Sequence, residues 1–148
     1  MSSFARSAKK RRANERGARN VSCVFDSSAL LAVVFSEPGD EEVLRHLGAS
    51  GGCVSAVNWS ETGSKMFERG MKAREIRREL AYFAIEVVPL DARQALRAAE
   101  LRVSTRSLGL SHGDRCCLAL SEQSPDAMII TADKAWKNLP GYDVRLIR

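Results

Sequence analysis

The chain has no apolar run near the ~20 residues that span a bilayer. No apolar stretch follows its basic N-terminus, so no secretory signal is expected. The expectation is a soluble protein of the cytoplasm with no membrane partner. Cysteine is scarce, at positions 23, 53, 116 and 117, with no C-x-x-C pair and no zinc-ligand spacing to His46 or His112. A disulfide scaffold and a structural zinc site are thereby excluded, and the thiols read as small buried fillers in a reducing compartment. Three chemical signatures are also missing: G-x-x-x-x-G-K-[ST], G-x-G-x-x-G after the first strand, and a G-x-S-x-G elbow on a strand-to-helix turn. A phosphoaspartate hydrolase would need a second aspartate two positions after Asp26, where Ser28 stands. There is no internal repeat.

What remains is an ordinary globular composition, 45% apolar and 28% charged over 148 residues. That is room for one domain with a proper core. The net charge of +5 is unevenly placed. Residues 1–20 hold seven basic side chains against Glu15 alone, while the other 128 residues hold 16 basic and 17 acidic ones. The first twenty residues have almost no apolar content beyond Phe4 and alanines, and read as a disordered basic tail. Three explanations of it stay open: a nucleic-acid-binding arm, a solubilising extension, or an artefact of the assigned start site. A second basic concentration spans residues 65–78, with six basic and two acidic side chains. A solvated helix face is its default reading, with contact to RNA phosphates or to a protein partner as the alternatives.

From residue 21 onward, apolar bursts alternate with helical patterns. Strands are expected at 21–25, 53–55, 87–90, 128–131 and 144–147. Helices are expected at 27–35, 41–47, 57–69, 72–83, from Asp91 as N-cap to 103, and from Ser111 as cap to 121, with a helical turn at 132–137. No two strands are joined by a two-residue hairpin turn. The pattern predicts an α/β fold: a single domain over residues 21–148, with a mostly parallel central sheet and helices on both faces.

In such a sheet, ligands bind beyond the carboxyl ends of the strands. Four acids fall there. Asp26 follows the first strand, Glu61 lies early in the helix after the second, Asp114 is in the first turn opened by Ser111, and Asp133 sits two residues past the strand ending at Thr131. Each has a purely structural explanation. Asp26 suits an N-cap, Glu61 a solvated helix face, Asp114 the far half of a capping box with Ser111, and Asp133 the positive end of a short helix. Together, four carboxylates at one rim repel one another, and a divalent cation relieves that repulsion. Hard oxygen donors without His or Cys favour Mg²⁺ or Mn²⁺ over zinc. Metal on carboxylates suits phosphoryl chemistry.

The segments Val24-Phe25-Asp26-Ser27-Ser28-Ala29-Leu30-Leu31-Ala32, Ala56-Val57-Asn58-Trp59-Ser60-Glu61, Leu110-Ser111-His112-Gly113-Asp114-Arg115 and Ile130-Thr131-Ala132-Asp133 resemble the signature blocks of PIN-domain ribonucleases. The likeness is strongest to the VapC-type toxins of toxin–antitoxin pairs, and covers residues 21–148 in the family's block order. It implies an endoribonuclease dependent on Mg²⁺ or Mn²⁺, with RNA as substrate. Asp26, Glu61, Asp114 and Asp133 match the family's acidic quartet, and Asp26 and Asp114 its usual metal-ligand positions. Glu61 and Asp133 would then assist the metal or position the attacking water, with Ser28 and Thr131 supporting at the rim. The resemblance further implies a cognate antitoxin over the site and a homodimer. The tail departs from the family, whose members begin close to the first strand. Two other functions compete with the toxin reading: a catalytically silent PIN-like RNA-binding or regulatory module, and a structure-specific DNA nuclease. His112, Trp59 and Trp136 could serve as acid–base or base-stacking groups; local packing is the simpler account of each.

Overall fold

The apolar bursts become five short strands: β1 (Cys23–Phe25), β2 (Cys53–Ser55), β3 (Glu86–Val88), β4 (Met128–Thr131) and β5 (Asp143–Leu146). The computed structural model describes residues 21–148, and the basic tail expected over residues 1–20 lies outside the described residues. The strands pair in the order β3-β2-β1-β4-β5, and every pairing is parallel. Six α-helices connect them: α1 (Ser27–Val34), α2 (Asp40–Ser50), α3 (Ala56–Glu68), α4 (Ala73–Tyr82), α5 (Ala92–Thr105) and α6 (His112–Ser121). The expectation of an α/β fold with a mostly parallel sheet is met in its strictest form.

Side-chain alternation along the strands divides the core between the two faces. Val24, Cys53, Val88 and Ile129 point to one side and pack with Ala98 and Leu101 of α5 and Cys116 to Leu120 of α6. Cys23, Phe25, Val54 and Ile130 point to the other and pack with Ala29 and Leu30 of α1 and Val43 of α2. The registers Val24↔Cys53 and Val24↔Ile129 keep like-facing residues level across the sheet. All four cysteines are buried and none is in a disulfide among the described residues, as their scarcity and apolar settings imply.

Boundaries differ from the sequence expectations where backbone chemistry intervenes. The third strand ends at Val88, since Pro89 has no N–H to extend a ladder. The second helix runs on to Ser50, and stops where Gly51 adopts a φ of 64°. The turn expected at 132–137 is a single 3-10 turn, Lys134–Trp136, with Asp133 as its cap. Gly52 enters β2 at a φ of 150°, and a Cβ there would stand 2.6 Å from the Phe25 ring, so only glycine lets the two strands close.

Candidate active site

The chain passes from β1 to its neighbours on opposite sides, β2 on one and β4 on the other. Such a point, where the strand order reverses, leaves a crevice at the carboxyl ends of the strands. Asp26 occupies it. Its amide continues the ladder by donating to the Ile130 carbonyl at 2.9 Å. It holds the N-cap position of α1, yet its side chain caps nothing. The carboxylate is only 2% exposed, and its Oδ2 accepts from Ser28 Oγ at 2.7 Å and Thr131 Oγ1 at 3.0 Å. Both hydroxyls are oriented from behind, because Ser28 Oγ accepts the Ala132 N–H at 2.9 Å and Thr131 Oγ1 the Asp133 N–H at 3.1 Å. Asp26 Oδ1, equally buried, has no hydrogen-bond partner.

The other three acids surround this point. Glu61, one side of α3, accepts from Ser27 Oγ through Oε2 at 2.8 Å. Asp114 completes the capping box expected of α6: its N–H donates to Ser111 Oγ at 3.1 Å, and its Oδ2 accepts the Ser111 N–H at 2.7 Å. Asp133 caps the 3-10 turn by accepting the Ala135 N–H at 2.9 Å. For Asp114 and Asp133, then, the structural explanation is realised alongside the rim position. Burial pushes the Asp26 carboxyl up to about 6; the charges of Asp114 and Glu61 add to this, against the hydroxyl bonds from Ser28 and Thr131. The Asp114 carboxyl is raised mainly by burial, and also by Asp133 and Glu61, against its bonds to Ser111. The four acids therefore share one electrostatic neighbourhood.

Whether these groups suit a divalent cation rests on Asp26. A buried carboxylate oxygen without a donor is a group a cation would satisfy. The side chains that hold or face Asp26, namely Ser28, Thr131, Glu61 and Asp114, offer oxygens, which suits Mg²⁺ or Mn²⁺. Among the described residues, however, no three His, Cys, Asp or Glu side chains are gathered as a ready-made metal site. The donor chemistry fits, and the acids are neighbours without being a preformed cage.

Three contributors escaped the sequence reading. Ser27 holds Glu61, and its place directly after Asp26 was the available signal. Asn58, fully buried on α3, donates through Nδ2 to the Gly113 carbonyl at 3.1 Å and so ties α3 to the first turn of α6. A polar residue three positions before Glu61 on the inward face was its signal. Gly113 leaves room for Glu61, since a Cβ there would stand 2.8 Å from Glu61 Oε2. By contrast, Trp136 is fully buried and offers no face to a base, and exposed His112 lies against Cys116, with 3.6 Å between Nε2 and Sγ.

The profile of the PIN domain family matches residues 23–142, and the chain belongs to that family, a family of nucleases. Its solved structural neighbours carry the likeness further. A toxin–antitoxin complex from Klebsiella pneumoniae contains a chain of 22% identity and TM-score 0.62, matched over 86% of this chain and 98% of that one. A chain of VapBC2 from Rickettsia felis, bound to a DNA fragment from their promoter, has 15% identity and TM-score 0.65 over 83% and 96%. One of VapBC-1 from nontypeable Haemophilus influenzae has 16% identity and TM-score 0.60 over 84% and 96%. No curated protein matches the chain.

Proposed function

We propose that the chain is a Mg²⁺- or Mn²⁺-dependent endoribonuclease that hydrolyses RNA phosphodiester bonds, the toxin of a toxin–antitoxin pair. One observation carries the reading: the buried, unpartnered Oδ1 of Asp26 at the strand crevice, among three further acids. Asp26 and Asp114 would hold the metal, and when bound it would supply Lewis acidity and charge neutralisation at the phosphate. Ser28 and Thr131 fix Asp26 Oδ2, so that Oδ1 is the oxygen left for a ligand. Ser27 engages Glu61 Oε2, which leaves Oε1 to take a proton from the attacking water. Asp133, held by the Ala135 N–H, helps orient that water. The catalytic set is thus Asp26, Glu61, Asp114 and Asp133, within a nuclease domain spanning residues 21–148, with residues 1–20 as a basic extension.

The toxin–antitoxin neighbours support a cognate antitoxin as inhibitor. A homodimer is supported by the outer face of α5, where Leu96 and Val103 are 63% and 86% exposed, one heptad apart. Among the described residues no helix is long and apolar enough to cross a membrane, which agrees with a cytoplasmic protein.

The test is cleavage of bulk RNA by the purified chain with Mg²⁺, Mn²⁺ or a chelator, beside Asp26→Asn. Chelation should abolish cleavage and added metal restore it. Asp26→Asn should lose more than the about 100-fold that removing an outer partner of a metal ligand costs. RNA bound but never cut, in any metal, would instead make the chain a silent RNA-binding module.

A further inference from the structure

A cleft of about 220 Å³ opens beside the acidic crevice and is lined by both α1 and α3. One wall is Ser28 and Leu31 of α1 with Phe35, the residue that ends it, and the other is Lys65 and Glu68 of α3 with Arg69, the residue that ends that helix. Ser28 belongs to both places, since it lines the cleft and its hydroxyl donates to Asp26. From Ser28 to Phe35 the helix advances about 10 Å, room for a single unstacked nucleotide. The wall ends in an aromatic–cation pair, with the Arg69 guanidinium 4.6 Å from the centroid of the half-buried Phe35 ring. The other cations of the cleft are tied to carboxylates: Lys65 to Glu68 at 2.9 Å, and Arg148 to Glu37 at 2.9 Å. Arg69 makes no ion pair among the described residues, and its charge is left for an incoming anion.

We infer that this cleft is the subsite for the nucleotide next to the scissile phosphate, its base stacking on Phe35 and Arg69 and its phosphate paired with the Arg69 guanidinium. The inference rests on the endoribonuclease reading and adds where the RNA strand lies. Stacking on an aromatic and an arginine plane is the usual means of holding an unpaired base. Leu31 and Phe35 give the cleft an apolar strip, its two glutamates are neutralised by Lys65 and Arg148, and the Arg69 guanidinium has no carboxylate partner, a combination that suits a nucleotide with its flat face and one charge. A chain held at Ser28 delivers its neighbouring phosphate to Asp26.

The test uses Phe35→Leu and Arg69→Gln in the full chain, with melting temperature as the control for folding. Binding of a fluorescent single-stranded RNA is measured without divalent metal, and cleavage with it. Each variant should weaken RNA binding about tenfold, the scale of one lost stacking contact. KM should rise more than kcat falls, and nucleotide preference beside the cut should flatten. Arg69→Gln should also lower the slope of log affinity against log salt by about one. Unchanged binding, salt slope and preference in both folded variants would overturn the assignment and leave the cleft to a protein partner; so would wild-type protein that binds no RNA. Because binding is read without catalysis, failure of the nuclease reading alone shows separately, as RNA that the wild type binds and never cuts.

Discussion

Asp26 is a group that folding has placed at a disadvantage. Its carboxyl moves from 3.8 to about 6 on folding, so the native state holds its proton more tightly than the unfolded chain. The contribution to stability is complete below pH 3.8 and is lost as pH rises through about 6. The loss is about 3 kcal/mol at neutral pH, the free-energy equivalent of that shift. Without metal, the melting temperature of the wild type should therefore fall by several degrees between about pH 4 and pH 6 from this group, and Asp26→Asn should remove that fall. Added Mg²⁺ at pH 7 should raise the wild-type melting temperature and leave Asp26→Asn unmoved. A wild type whose pH profile matches that of Asp26→Asn would show that Asp26 is not the strained group. Gly113 gives a second test at this scale. Gly113→Ala puts a methyl group 2.8 Å from Glu61 Oε2, the far end of a flexible side chain. The helix should tolerate alanine, which favours it by up to about 1 kcal/mol, while Glu61 is pushed off Ser27. Cleavage should fall about 10- to 100-fold, the usual cost of disturbing a supporting contact, with an undiminished melting temperature. The rim positions of Asp26, Asp114 and Asp133 were legible in the sequence, because strand ends and caps fix them locally, whereas Glu61 lies within α3 and is brought to the rim by the packing of that helix. Ser27, Asn58 and Gly113 were not, because their partners lie 34 or more residues away, and only the folded chain brings them together.

Among the elements, α6 followed most directly from sequence: the S-x-x-D signature marks its start, and Ser111 and Asp114 form the reciprocal bonds it implies. The same local bond limits Asp114, since one carboxylate oxygen serves the helix and Oδ1 remains for other work. Helix α5 is apolar on two sides. Ala98, Leu101 and Thr105 are buried toward α6, whereas Leu96 and Val103 are exposed on the opposite face, with Ala99 between them and Ala92 one turn before. A face at positions i, i+4, i+7 and i+11 is the stripe of a helix with a second partner. Leu96→Glu with Val103→Glu should convert a dimer to a monomer in sedimentation, with helical content retained. If the wild type is monomeric at tens of micromolar, or the double variant still dimerises, this face is not the interface. Periodicity gave no warning of that stripe, because the pattern that buries one side also brings leucine and valine round to the other.

For the whole molecule, the alternation of strand and helix predicted a parallel sheet, and the absence of hairpin turns excluded the antiparallel alternatives. The order β3-β2-β1-β4-β5 was not legible, since it depends on pairings such as Phe25 with Ile130 that no local pattern encodes. Residues 1–20 bring seven basic side chains and almost no apolar surface. Their deletion should leave the melting temperature within about a degree and cleavage nearly unchanged, as expected of a segment too poor in apolar groups to dock. A drop of several degrees, or activity lost only at physiological salt, would assign the tail to the fold or to RNA.

The bond from Thr131 to Asp26 spans 105 residues. On a ribosome adding about 5–20 residues per second, roughly 5–20 seconds separate the synthesis of the two groups. Throughout that interval the nascent chain has Asp26 but lacks the strand that fixes it, and it lacks Asp133 as well. On the proposed catalytic set, a polypeptide released early, by a broken messenger or a stalled ribosome, would carry most of its helices and lack Asp133. The proposed quartet is complete only once Asp133 has been made, after every helix from α1 to α6.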